Sequence, residues 1–246
     1  MAGSATKRFI KRHFPPLVSA VHFLRRLPLR SGTMEERFQR MIRMYVRQQL
    51  ESLSGPGSTL EETRVIRAQI PILLANLDVK VLLDIPCGDF HWMKEVELKM
   101  DRYISADVLA DLIRANKEKF ERTNRTFLRL DLTVDDLPEA DLVFCRDCLV
   151  HLSFADIFRA FANIKRSGAT YLLTTTFPSV GENLDILTGE WRRLNLEMDP
   201  FNLPAPLRLL NEECTIPLYS DKSLGLWRVS DLPDKDRPAR TAGPIG

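Results

Sequence analysis

The sequence predicts a doubly wound α/β sheet, mostly parallel and closed by an antiparallel C-terminal hairpin. Three observations predict it. Short apolar runs alternate with helix-like segments between residues 79 and 176. Three successive runs end in a carboxylate: VKVLLD at Asp84, YISAD at Asp107 and FLRLD at Asp131. Beyond residue 176 the alternation stops, and two apolar runs, 207–210 and 224–229, remain to pair as a hairpin. Ligands bind outside the carboxyl ends of such strands, so the three acids mark a nucleotide-like site. A ribose offers hydroxyl donors and an adenine an amino donor, and an ionised Asp is an acceptor suited to both.

The elements follow in order. Residues 34–53 read as a helix, because Phe38, Met41, Ile42, Tyr45, Val46 and Leu50 recur near helical spacing. Ser54-Gly55-Pro56-Gly57-Ser58 breaks it. Ser58 with Glu61, or Thr59 with Glu62, offers a capping box for a second helix to about residue 77. Residues 81–85 form a continuous apolar run before a turn, as a buried parallel strand requires. A short helix is expected over 90–96, strand two over 102–106 and a helix over 109–120. Strand three follows over 126–130, strand four over 141–145, a helix over 154–164 and strand five over 168–176. The expected division is a basic arm (1–33), a helical extension (34–78), a ligand-binding domain (79–232) and a tail (233–246).

With 246 residues, 44% of them hydrophobic, the chain can bury a sizeable core. The net charge of +2 sets up no global field toward nucleic acid or membrane. The charge is unevenly spread, however. Lys7, Arg8, Lys11, Arg12, Arg25, Arg26 and Arg30 precede the first acid, Glu35. No apolar run approaches the roughly 20 residues of a membrane span, and no secretory cleavage site follows an apolar stretch. A cytoplasmic protein is expected. The arm fits a disordered tail, an organelle transit peptide or a peripheral membrane contact. Cys145 and Cys148 form a C-x-x-C with neither a second pair nor a His at zinc spacing, so no metal is expected. Buried or cleft-wall thiols in a reducing compartment are the expectation.

Residues 84–93 read D-x-P-C-G-D-x-x-W-M, and residues 145–152 read C-R-D-x-x-V-H-L. On these motifs, the acids after strands two and three and the final hairpin, the chain resembles class I S-adenosylmethionine-dependent methyltransferases. The resemblance covers roughly residues 59–232 and lies nearest to uncharacterised bacterial-type members. It implies a Rossmann-like fold, S-adenosyl-L-methionine as cofactor and methyl transfer as activity. One departure is plain. The family's acid-x-Gly-x-Gly-x-Gly loop here holds Pro86, Gly88 and Phe90 at the glycine positions. A dinucleotide's pyrophosphate needs those glycines and an open helix N-terminus, whereas the methyl donor carries no phosphate.

The resemblance also implies roles. Pro86 and Gly88 form the turn, with Gly88 permitting a positive φ or close ligand approach. Asp84 and Asp89 border the donor's methionine moiety and offer its ammonium a partner. Asp89 equally suits a helix N-cap. Asp107 is expected to bind the ribose, and Asp131, with the Leu132 backbone beside it, the adenine amino group. Arg67 is in reach of the donor carboxylate or is a surface Arg. Arg146 and Asp147 follow strand four, beside the transferred methyl. Asp147 and His151 would share one face of a helical turn. Asp147 then orients a His151 base or is itself the base. Asn183, Trp191, Arg192 and Asn195, in the segment before the hairpin, are expected to line the acceptor pocket.

The expected reaction is methyl transfer to a small-molecule or glycan acceptor, at oxygen. An RNA or protein methyltransferase and a non-catalytic donor-binding scaffold are the alternatives. The arm lacks interleaved aromatics on a platform, which counts against nucleic acid. Sequence leaves the oligomeric state open.

Overall fold

The computed structural model describes residues 32–234. Residues 1–31 of the basic arm and 235–246 of the tail lie outside that range. Seven strands form one sheet: β1 (Val81–Asp84), β2 (Arg102–Asp107), β3 (Arg125–Arg129), β4 (Leu142–Cys145), β5 (Tyr171–Thr176), β6 (Arg208–Asn211) and β7 (Ser223–Arg228). Their spatial order is β3-β2-β1-β4-β5-β7-β6. The first five are parallel, and β7 inserts antiparallel between β5 and β6. The strand order reverses at β1, which lies between β2 and β4; such a switch point opens a crevice at the carboxyl ends of the strands.

Alternate side chains of the strands enter opposite cores. Leu83, Val143 and Cys145 join helix α4 (Phe154–Arg166) and the 194–203 segment on one face. Leu82, Leu142 and Phe144 join α2 (Arg64–Asn76) and Ile113 of α3 (Ala110–Phe120) on the other. Burial on both faces explains why these strands read as continuous apolar runs. The remaining helix, α1 (Met34–Arg47), buries no residue fully. It opens with a complete capping box: Thr33 accepts from the Glu36 backbone, and Glu36 accepts from the Thr33 backbone.

Several sequence expectations are corrected. The first helix stops at Arg47 instead of residue 53, and Gln49 follows with a φ of 53°. The second starts at Arg64, one turn late, although Thr59 Oγ1 does accept from the Glu62 backbone. Glu62 does not close that box, because its carboxylate accepts from the Thr215 backbone at 3.2 Å and from its hydroxyl. No helix spans 90–96; only a 3₁₀ turn, Met93–Glu95, forms there. Phe90 takes a φ of 59°, which seats its fully buried ring against Phe127 and Phe120. Packing that ring outweighs helical propensity and accounts for the missing third glycine.

Candidate active site

The turn after β1 is held from three sides. The Gly88 backbone N–H donates to Asp107 Oδ2 at 3.1 Å, and its carbonyl accepts from Asn116 Nδ2 at 2.8 Å. With a φ of 57°, Gly88 lies so near Ser54 that a Cβ would come 2.0 Å from the serine Oγ. That close approach is by protein, so glycine is required before any ligand arrives.

Below this turn a cleft runs along the carboxyl ends of β1–β4. Its void measures about 1030 Å³ with the open mouth counted. Asp84, Pro86, Gly88, Asp107, Asp131, Leu132, Arg146, Asp147 and His151 all line it. Its outer wall is α1, through Met34, Phe38, Met41 and Ile42, which sequence reasoning identified as helical without assigning them a ligand.

The acids differ in their surroundings. Asp84 is buried and accepts a 2.6 Å hydrogen bond from the Tyr103 hydroxyl. Burial dominates and pushes it up to about 7, against the pull of that hydroxyl. Burial likewise lifts Asp107 to about 6, although the Leu109 and Gly88 backbones donate to it. Leu109 N–H reaches Oδ1 at 2.9 Å and Gly88 N–H reaches Oδ2. The Val108 backbone adds a third hydrogen bond, so the carboxylate is held mainly by the backbone around it. Asp131 accepts from the Thr133 backbone and hydroxyl, both at Oδ1. The Leu132 carbonyl beside it is taken by Asn163 Nδ2 at 2.8 Å.

After β4 the chain enters a charged cluster. Arg146 grips Glu212 in a bidentate pair, Nε to Oε1 at 3.1 Å and NH2 to Oε2 at 2.6 Å. It also lies 3.2 Å from Asp147 Oδ2 and stacks over Trp92. Lys222 Nζ donates to Asp147 Oδ2 at 2.6 Å and lies 3.3 Å from Glu212. The hairpin brings both partners here, since the Glu212 N–H donates to the Lys222 carbonyl across it. Burial works against ionisation of Asp147, but the Lys222 and Arg146 charges hold it at about 2. The helical turn expected at Asp147 is corrected: its φ is 52°, and a 3₁₀ turn starts only at Leu149. His151 Nδ1 lies 2.9 Å from the Glu190 carbonyl, so that carbonyl orients the ring in place of Asp147. Phe38 meets the imidazole edge-on.

Six expected site residues lie elsewhere. Asp89 is bound by Ser52, Ser54 and the Leu53 backbone, and ties the 52–54 loop to the turn. Arg67 donates to the Leu60 carbonyl at 3.0 Å. Asn183 and Asn195 bridge backbone groups of the 178–199 segment. Arg192 is buried against the Leu149 and Leu152 carbonyls. Trp191 packs on Phe177 and Tyr219. Polar groups of this segment satisfy backbone that forms no regular structure, so they scaffold the β4 turn without reaching the cleft. Sequence reasoning missed Glu212, Lys222, Tyr103 and Asn116. The one available signal was a pair of charged residues, Glu212 and Lys222, flanking an apolar hairpin.

No family model and no curated protein matches this sequence. Solved structures match the fold. The N-methyltransferase NodS from Bradyrhizobium japonicum WM9, in complex with S-adenosyl-L-homocysteine, has a TM-score of 0.54 at 15% identity, covering 80% of this chain and 98% of that one. The methyltransferase domain of bacterial CtHen1-CN has a TM-score of 0.52 at 13% identity, covering 69% and 100%. At such identities the likeness is one of architecture: this chain has the class I methyltransferase fold.

Proposed function

We propose that this protein is an S-adenosylmethionine-dependent methyltransferase acting on an oxygen of a small, largely apolar acceptor, with His151 as general base. The observation that carries the reading is the set of acids, Asp84, Asp107 and Asp131, at successive strand ends of one cleft. Asp107 would hold the ribose, Asp131 the adenine amino group and Asp84 the ammonium of the methionine moiety. When bound, the cofactor supplies an electrophilic methyl group on sulfur.

The protein's part is to align the acceptor and remove its proton. Burial pushes His151 below the ordinary imidazole value, despite the Glu190 carbonyl and the Asp147 charge, so the ring is neutral near pH 7. A carbonyl can only accept, so Nδ1 carries the hydrogen and Nε2 keeps its lone pair. Asp147, held at about 2, is too weak a base, and its charge instead favours the imidazolium that forms. A glycan acceptor is disfavoured, because Asn183, Arg192 and Asn195 are committed to backbone and the facing wall is Met34, Phe38, Met41 and Ile42.

Calorimetry with S-adenosylmethionine and S-adenosylhomocysteine tests the cofactor, and absence of binding by both would sink the reading. With a panel of phenolic acceptors, His151→Gln should lower kcat by roughly 10²–10⁴-fold and leave cofactor affinity unchanged. Normal turnover by that variant would remove His151 from the reaction. The rate should rise with pH through a pKa below 6.5.

A further inference from the structure

We infer that the outer face of α1 is a docking surface for an anionic lipid bilayer. The helix is two-sided. Met34, Phe38, Met41 and Ile42 face the cleft. At about 100° per residue, Arg43 and Arg47 fall on the opposite side, and both are exposed. Glu36 shares that side, but its carboxylate accepts from the Thr33 backbone at 2.8 Å in the capping box. Met44 and Val46, 46% and 54% exposed, flank the arginines.

The sequence immediately before this helix has the same character. Residues 1–33 carry seven Lys/Arg and no acid. Arginine pairs with headgroup phosphates, and neighbouring apolar side chains enter the interface beneath them. A single-stranded nucleic acid would call for aromatic platforms beside the cations, and the described outer face presents none. The surface lies on the reverse of the cleft's own wall, and the inference is independent of methyl transfer.

Flotation of the full chain with phosphatidylcholine vesicles, with and without phosphatidylglycerol, tests this. Binding to the anionic vesicles only, weakened by salt, is expected. A cation near the surface contributes about fivefold, so Arg43→Gln with Arg47→Gln should weaken partitioning roughly 25-fold. Arg43→Lys with Arg47→Lys should retain it, and circular dichroism should show the fold kept in both. Absent vesicle binding overturns the inference. So does binding that the Gln pair leaves unchanged, which would assign it to the arm alone, or tighter binding to an RNA oligonucleotide than to vesicles.

Discussion

Where β1 and β2 end, Asp84 and Asp107 are buried with hydroxyl and backbone donors but, among the described residues, no ion-pair partner. Where β4 meets the hairpin, Asp147 and Glu212 are buried against Arg146 and Lys222. The cleft thus joins acids of opposite electrostatics: Asp84 and Asp107 at one end, and Asp147, backed by the buried Glu212, at the other. The first pair is pushed up to about 7 and about 6, whereas Asp147 is held at about 2. The hairpin end is neutralised by the chain itself. The β1–β2 end is not, and a ligand carrying positive charge and hydroxyl donors would complete it.

This contrast has a sign in pH. Asp84 and Asp107 are raised above the ordinary 3.8, so their contribution to stability is full below that value and is lost as pH rises toward 6 and 7. Asp147 is lowered, so its contribution is present above 3.8 and is lost as pH falls toward 2.

The largest expected effect comes from breaking the neutral end. Arg146→Met strands Asp147 and Glu212 with only Lys222 and should cost about 3–5 kcal/mol in urea unfolding. Adding Glu212→Gln should recover part of that. A loss near zero would show that the cluster is not held by charge.

The next test sharpens the uncompensated end. Between about pH 5 and pH 8, ligand-free wild type should lose on the order of 2 kcal/mol relative to Asp84→Asn. The comparison with the variant matters, because His151 is lowered and its own contribution runs the opposite way. A constant difference across that range would mean Asp84 is ionised throughout.

Asp107→Asn separates binding from stability. It should weaken S-adenosylhomocysteine roughly 10–100-fold by calorimetry, through lost charge-assisted hydrogen bonds, while circular dichroism shows the ligand-free fold kept. Unchanged affinity in that variant would remove Asp107 from the cofactor site. The smallest effect is expected for Tyr103→Phe, at about 1 kcal/mol of stability, because one hydrogen bond to Asp84 is removed.

Much of the β1–β4 half was legible. Each strand is a local run of apolar residues, and the acid that ends it falls at the sheet's carboxyl edge wherever the chain goes next. Asp89 was misread because the residues that claim it, Ser52 and Ser54, come from a loop 35–37 positions earlier. Glu212 and Lys222 were invisible as site residues for the same reason: they lie 66 and 75 positions from Arg146 and Asp147. The periodicity of α1 announced a helix with one apolar face but not that the face would wall a cleft.

Sequence by itself determined the order of the strands and of α1–α4, the hairpin that ends the sheet and the edge on which the acids lie, because periodicity and turn chemistry act over a few residues. Tertiary structure decided which acids carry charge. Ionisation depends on burial and on cations delivered from distant segments, and only the folded sheet sets Lys222 against Asp147 while leaving Asp84 with a tyrosine.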